Sequence, residues 1–496
     1  MSDYRMWAGH EIATIHDLMR THAPWRGEYP MEDPDFMCAW LNEMSVLDSQ
    51  SNLSKETLEA WWLSTPEYIE QKPIWDESQK PPVIEPVESS IKGQLRIDNA
   101  GYCDDAGRVN PIGIHIGDLF SVFTRDPDKA ELIIQSAQSA GYPLIHFWMN
   151  LGTLGGSYWS GRECGPGYTS DFWTKLSLFG DLLDQYGMKG GYNLGDYKLW
   201  EGNHKDFFRE LGRALRGREN QTAAYVFGGN EAWQTGADSK EEISDALDEF
   251  KAECNTVIVT TTAPPTESSE DIEAWCGGDF YAIHGYRGGE DHDRIRHIFS
   301  VGWEGHPPSK FGWQDEPTGP GNEVSVKPSH CYDGRDVDAN HMCALAVQSL
   351  LNNQGFNYFC GAGVKSDTPL DSYAGFYEVA KVKSIVPIDI MAWPQPFHFG
   401  GSQSAHRIFS PCAEDSLRFD HRISHDGRIF GLFYGDEGHT RARCERACFI
   451  QYVSFDGFVG NEVQYDLGQE VSFDFRRSSG GQPNGYTAQV VIGRLR

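Results

Sequence analysis

The 496-residue sequence predicts an α/β chain: a (β/α)8 barrel of the TIM type, preceded by an N-terminal helical module and followed by a C-terminal antiparallel β-sandwich. Three observations predict it. Short apolar runs alternate with amphipathic helical patterns eight times over roughly 250 residues, the length and count of a closed ring of β/α units. None of those runs is followed by G-x-G-x-x-G, so an open dinucleotide-binding sheet has no support. Beyond about residue 385 helical periodicity stops, and strands separated by Gly, Asp and Ser turns replace it.

Taken in order, residues 1–78 read as short helices, because "DPDFMCAWLNEM" and "SKETLEAWWLSTPEYIEQ" place apolar residues at helical spacing behind Asp and Ser caps. Residues 79–94 contain "QKPPVIEPVESS", where proline removes donors and prevents a helix, so this segment reads as an extended linker. The barrel is expected over 95–384, with strands "IGIHI", "LIHFWM", "MKGGYNL", "AAYVF", "TVIVT", "FYAIH", "KFGW" and "FNYFC". Its helices include "DPDKAELIIQSAQSAG" and "SKEEISDALDEFKAE", opened by Asp or Ser, the former closed by Gly. Residues 385–496 hold the sandwich strands "RFDHRIS", "RIFGLFYG", "ACFIQYVSF", "EVSFDF" and "TAQVVIGRL".

The formal charge of −30 is spread along the chain, whereas nucleic-acid binding needs clustered Lys and Arg to displace counterions. No nucleic-acid partner is expected, and a neutral substrate is favoured over a strongly anionic one. There is no basic segment followed by an apolar one at the N-terminus, and no apolar window of about 18 residues, so neither a secretion signal nor a membrane partner is expected. The 11 cysteines form no CxxC pair and read as free thiols, small buried residues rather than ligands.

The stretch "AAYVFGGNEAWQTG" is the fourth strand and its exit, which puts Asn230 and Glu231 on the C-terminal face of the barrel, where such folds assemble their sites. The seventh strand exits through "KFGWQDEPTGPG", putting Asp315 and Glu316 on the same face. In a ring of eight, strands four and seven end across the mouth from one another. Two opposed carboxylates about 5 Å apart are what retaining glycoside hydrolysis needs, one to protonate the leaving oxygen and one to attack. Aromatic side chains suit the apolar CH faces of sugars, and Trp148, Tyr158, Trp159, Trp200, Trp233 and Trp313 fall on or after strand ends, Trp233 and Trp313 being the best placed to face a ligand. Asp196 and Asp118 follow strands three and one and can bind hydroxyls or cap helices, capping being the stronger reading for Asp118.

With these residues in register, the barrel resembles glycoside hydrolase clan A, the four/seven superfamily, over residues 95 to 385. The resemblance includes "FYAIHGYR" on strand six, similar to the family's His-x-Tyr. It implies that Glu231 is the acid/base and Glu316 the nucleophile, that Asn230 holds a sugar 2-hydroxyl, and that Tyr286 positions the nucleophile; His284 reads equally as a substrate-binding residue or a hydrogen-bonded core histidine. No cofactor and no metal is expected, since strand one offers only His115 rather than paired histidines and the acidic loop near 288 has no second cluster of ligands. Strand two carries His146 where the family often has Arg, and Asp315 adjoins the nucleophile position.

The N-terminal run ending "STPEYIEQ" is similar to a small helical module of bacterial surface and phage proteins. A glycan-cleaving barrel behind such a module and a linker fits a phage virion component, with other virion proteins as partners of the module; a cytoplasmic glycosidase is the rival. Three function classes follow. The first is a retaining hydrolase of a poly- or oligosaccharide, which releases reducing sugar in chelator. The second is a non-catalytic glycan-binding or structural virion protein, which binds without release. The third is a metal-dependent barrel hydrolase, which loses activity in chelator.

Overall fold

The computed structural model describes residues 90–150, 169–195, 197, 202–263, 275–284, 311–316, 339–359, 369–373, 375–394, 397–398, 407–411, 418–435, 439–455, 459–474 and 487–496. Before these it describes only an antiparallel pair at Met6–Trp7 and His10–Glu11. The chain divides into two compact units, Met1–Ile84 and Glu85–Arg496, at a point inside the Pro-rich stretch. The helices expected at 33–44 and 54–71 lie outside the described residues.

The second unit opens with a hairpin, Arg96–Asp98 and Gly101–Cys103, and then builds the barrel. Its strands are β1 Ile112–His115, β2 Leu144–Trp148, β3 Lys189–Asn193, β4 Ala223–Phe227, β5 in two pieces at Ile258–Thr260 and Thr262–Ala263, β6 Tyr281–His284, β7 Gly312–Glu316 and β8 Gln354–Tyr358. Every ladder between them is parallel. The first piece of β5 pairs with β4 and the second with β6, so the ring closes through 258–263. All eight predicted strands are present.

Between the strands lie α1 Leu119–Arg125, α2 Pro127–Ala140, α3 Phe172–Gln185, α4 His204–Leu215, α5 Lys240–Glu253 and α6 Ala339–Leu351, with α7 Phe376–Ile385 after β8. Their ends follow local chemistry. Asp126 accepts from the Lys129 amide and Ser239 from the Glu242 amide, filling orphan donors of the first turn, while Gly141 closes α2 at φ 99°. Asp118 differs from its reading: it occupies the N-cap of α1, but its buried side chain makes no capping bond.

Alternation along each strand sorts side chains between the barrel interior and the helix layer. On β2, Phe147 packs outward on Phe179 at 4.8 Å, whereas His146 and Trp148 share the opposite face with His115 of β1. The hairpin closes the N-terminal end, where the Tyr102 hydroxyl donates to the Gly312 carbonyl and its ring meets Trp313 edge-on at 5.5 Å. Lys189, 2 % exposed, reaches the Asn220 and Gln221 carbonyls. Burial lowers its pKa to about 8 from 10.5. Below pH 8 both folded and unfolded chains carry the proton, and burying the charge costs about 3 kcal/mol. Between pH 8 and 10.5 only the unfolded chain still binds it, so this contribution makes stability rise with pH across that window. Urea titrations are expected to show a Lys189→Met advantage near pH 7 that shrinks towards pH 10.5; an advantage constant across the window would refute the burial cost.

The sandwich strands are β9 Phe397–His398, β10 Phe409–Pro411, β11 Arg418–Ile423, β12 Arg428–Gly435, β13 His439–Cys444, β14 Cys448–Val453, β15 Val463–Tyr465, β16 Glu470–Asp474 and β17 Thr487–Leu495. A six-stranded sheet runs β9-β11-β12-β17-β14-β15 and a three-stranded one β10-β13-β16, all antiparallel. Phe409, Phe419, Phe433 and Phe473 interlock in the core between them. The five predicted strands are present. Sequence reading passed over β13, because "HTRARC" alternates arginine with Ala442 and Cys444, whose small side chains carry little hydropathy yet fill this core.

Candidate active site

Strand β4 delivers its exit to the C-terminal face. After Phe227 come Gly228, Gly229, Asn230 and Glu231, and a short helix, Ala232–Thr235, begins at once. Glu231 stands at that helix's N-cap with φ 45° and ψ 44°, the left-handed region, shared among described non-glycine residues only with Asp171 and Asn353. A side chain with a β-carbon held there costs about 1–3 kcal/mol, so the surroundings must impose it. Four hydrogen bonds do. The Asn230 amide donates to the Gly195 carbonyl at 2.8 Å, and the Thr235 amide to the Glu231 carbonyl at 2.9 Å. The Thr235 hydroxyl donates to the Asn230 carbonyl at 2.9 Å, and the Thr261 hydroxyl to the Gly229 carbonyl at 3.0 Å.

Strand β7 carries Glu316 as its last residue, and its ladder to β6 is irregular. Tyr281 stands opposite Gly312 and Ala282 opposite Trp313, but then the register shifts and His284 stands opposite Glu316. An unbroken ladder would have placed Asp315 there. A shift of one residue exchanges the two faces of a strand, so it selects which of two adjacent carboxylates shares a level with His284. His284, Asp315 and Glu316 are placed by their backbones; the expected 5 Å carboxyl separation, Tyr286, Asp196, Tyr158, Trp159 and Trp200 lie outside the described side chains.

The aromatic expectations divide. Trp233, on the short helix, is half-buried and its Nε1 has no hydrogen-bond partner; Asn230, 1 % exposed, likewise leaves its Oδ1 unbonded. Trp148 ends β2, buried, with its ring 5.9 Å from His115. Trp313 is corrected: it has no exposed surface and packs on Tyr225 at 4.7 Å, on Tyr102 and on Phe280, filling the barrel rather than facing its mouth. Gly355 on β8 makes room for it, since a Cβ there would lie 2.4 Å from the indole.

This barrel-and-sandwich arrangement has structural counterparts. A glycoside hydrolase family 5 protein from Bacteroides vulgatus superposes with a TM-score of 0.56 at 15% identity, over 82% of this chain and 95% of that one. A second Bacteroides vulgatus protein, assigned to the glycoside hydrolases, gives 0.50 at 11% identity, over 82% and 83%. What they share with this chain is the fold. No protein-family profile matches the sequence, and no curated protein does.

Beneath the strand ends lies a polar layer that sequence reading missed. His146 Nδ1 is 3.1 Å from the Tyr225 hydroxyl, which also accepts from Asn357 Nδ2 at 2.9 Å. Asn193 Nδ2 is 3.0 Å from His146 Nε2, and Asn193 Oδ1 accepts from the Gly195 amide at 2.8 Å. Because the Gly195 amide fixes which end of the Asn193 amide is oxygen, Nδ2 must donate to the imidazole. His146 therefore accepts at Nε2 and carries its proton on Nδ1, facing Tyr225. The signal was alternation: His115, His146, Asn193, Tyr225 and Asn357 all occupy interior positions. Among the described residues no group of three His, Cys, Asp or Glu side chains is gathered to hold a metal, and no helix is long and apolar enough to cross a membrane.

Proposed function

We propose that this protein is a retaining glycoside hydrolase acting on a neutral poly- or oligosaccharide, with Glu231 as acid/base and Glu316 as nucleophile. The observation that carries the reading is the left-handed backbone of Glu231 directly after β4, because imposed strain in a carboxylate-bearing residue at a barrel's C-terminal face is the kind of cost that a positioned catalytic group justifies. Glu316 ends the strand three positions round the ring, level with His284. Asn230 Oδ1 and Trp233 Nε1, buried and unbonded beside Glu231, offer an acceptor and a donor to sugar hydroxyls, and the indole offers an apolar face. The fold likeness adds an analogy and no residue roles.

The test is a panel of neutral polysaccharides and aryl glycosides scored for reducing ends and for anomeric configuration, with and without chelator. Release with retention, unchanged by chelator, is expected. Retention corresponds to carboxyl groups about 5–5.5 Å apart in a crystal structure, inversion to about 6.5–9.5 Å. Binding without release would leave a glycan-binding barrel, and loss in chelator a metal enzyme. The N-terminal module's likeness to phage and surface modules motivates a virion location, with a cytoplasmic glycosidase as the rival. Mass spectrometry of purified particles tests that placement, and absence of the chain refutes it.

A further inference from the structure

The polar layer and the strained glutamate are joined by one unbroken path. Tyr225 holds His146, His146 holds the amide of Asn193, Asn193 holds the Gly195 amide, and the Gly195 carbonyl holds the amide of Asn230, the residue before Glu231. Position 195 favours glycine. Its φ is 88°, and a Cβ there would lie 2.1 Å from Asn150 Oδ1 and 3.3 Å from the Trp148 Cβ. The turn after β3 is thus pressed against the exit of β2 on one side and hydrogen-bonded to the exit of β4 on the other.

We propose that Asn193 is a positioning residue for Glu231, acting through Gly195 and the Asn230 backbone, and that His146 orients its amide for that purpose. The link is directional. Asn193 can accept from Gly195 only with Oδ1 turned to the chain, which requires an acceptor for Nδ2 inside the barrel, and unprotonated Nε2 of His146 supplies it. Both residues are fully buried, so water does not substitute for either partner. Without the Asn193 oxygen the 195 turn loses its anchor, the Asn230 amide loses its acceptor, and Glu231 loses one of the four bonds that keep it left-handed.

The inference rests on Glu231 being the acid/base, and the experiment has one arm that does not. Asn193→Ala and Asn193→Ser differ by a single hydroxyl, which can accept from an amide two residues on much as Asn does. In crystal structures Glu231 is expected to leave the left-handed region in Asn193→Ala and to keep it in Asn193→Ser; an unchanged φ in Asn193→Ala overturns the proposal whether or not the protein cleaves sugars. The kinetic arm uses phenyl and 2,4-dinitrophenyl glycosides of the sugar that the wild type accepts. Misplacing an acid penalises the poor leaving group, so Asn193→Ala should lose about 100-fold on the phenyl glycoside and within about threefold in the first step on the dinitrophenyl one. Asn193→Ser should recover about tenfold of the loss. Equal losses on both substrates, or no difference between Ser and Ala, overturn it. Should Asn193→Ala not fold, Asn193→Ser against the wild type carries the same contrast between leaving groups. A wild type that releases no sugar from any polysaccharide or aryl glycoside sinks the hydrolase reading alone and leaves the crystallographic arm to decide this one.

Discussion

Glu316→Gln is expected to remove turnover on every glycoside the protein cleaves, by roughly 10⁴-fold or more, because no other group can form the glycosyl ester. Glu231→Ala should behave differently. An activated aryl glycoside departs without protonation, so its first step should survive, while poor leaving groups lose about 10²–10⁴-fold. Added azide should then speed the second step by replacing the water that the missing base no longer activates. Asp315→Asn is the control on register and is expected to stay within about tenfold of wild type. The register shift places Glu316, not Asp315, level with His284, which is why the adjacent carboxylate is expected to be dispensable. Wild-type rates in Glu316→Gln beside a dead Asp315→Asn would move the nucleophile by one residue. Normal cleavage by both glutamate variants would end the assignment altogether.

The second large effect is expected at the junction of barrel and sandwich. Arg422 of β11 is 1 % exposed, and its hydrogen-bond partners among the described residues are neutral. Its Nε donates to the Leu351 carbonyl at 2.7 Å, one Nη to the Ile390 and Trp393 carbonyls at 3.0 Å each, and the other Nη to Asn353 Oδ1 at 2.8 Å. Leu351 is the last residue of α6, so the charge sits where that helix presents the negative end of its dipole. Burial lowers the guanidinium pKa to about 9, which still leaves it charged at neutral pH. Arg422→Met removes the cost of burying the charge but orphans acceptors from both the barrel's last helix layer and the turn that leads to the sandwich. A net loss of about 3–5 kcal/mol is expected, read as a fall in the urea midpoint. Arg422→Lys should recover little, since one ammonium cannot reach acceptors on three sides. A change under about 1 kcal/mol in Arg422→Met would show that the interface does not depend on these bonds.

Both effects involve residues whose sequence signal was unequal. Glu231 was legible because strand four is a local pattern, an apolar run ended by two glycines, and its place on the barrel's C-terminal face follows from chain direction alone. Arg422 was invisible: within "RFDHRIS" it reads as a solvated strand residue, and only packing of α6 against the sandwich buries it. The same division separates Trp233 from Trp313. Both indoles sit near strand exits in sequence, but the bulkier environment formed by Tyr102, Tyr225 and Phe280, brought from the hairpin, β4 and the start of β6, claims Trp313 for the core.

What the sequence by itself determined was therefore everything with a short period or a fixed direction: eight strands, the helices between them, the change to antiparallel strands near residue 385, and the face on which Asn230 and Glu231 emerge. What only the tertiary structure decided was everything that depends on one strand's level against the next. The shift that sets Glu316 opposite His284, the path from His146 through Asn193 and Gly195 to Asn230, and the burial of Trp313 and Arg422 all arise from ladders and packing between segments far apart in the chain. Hydrophobic periodicity reports which side of a strand is apolar, but it is unchanged by sliding that strand along its neighbour, so register and its consequences are absent from it.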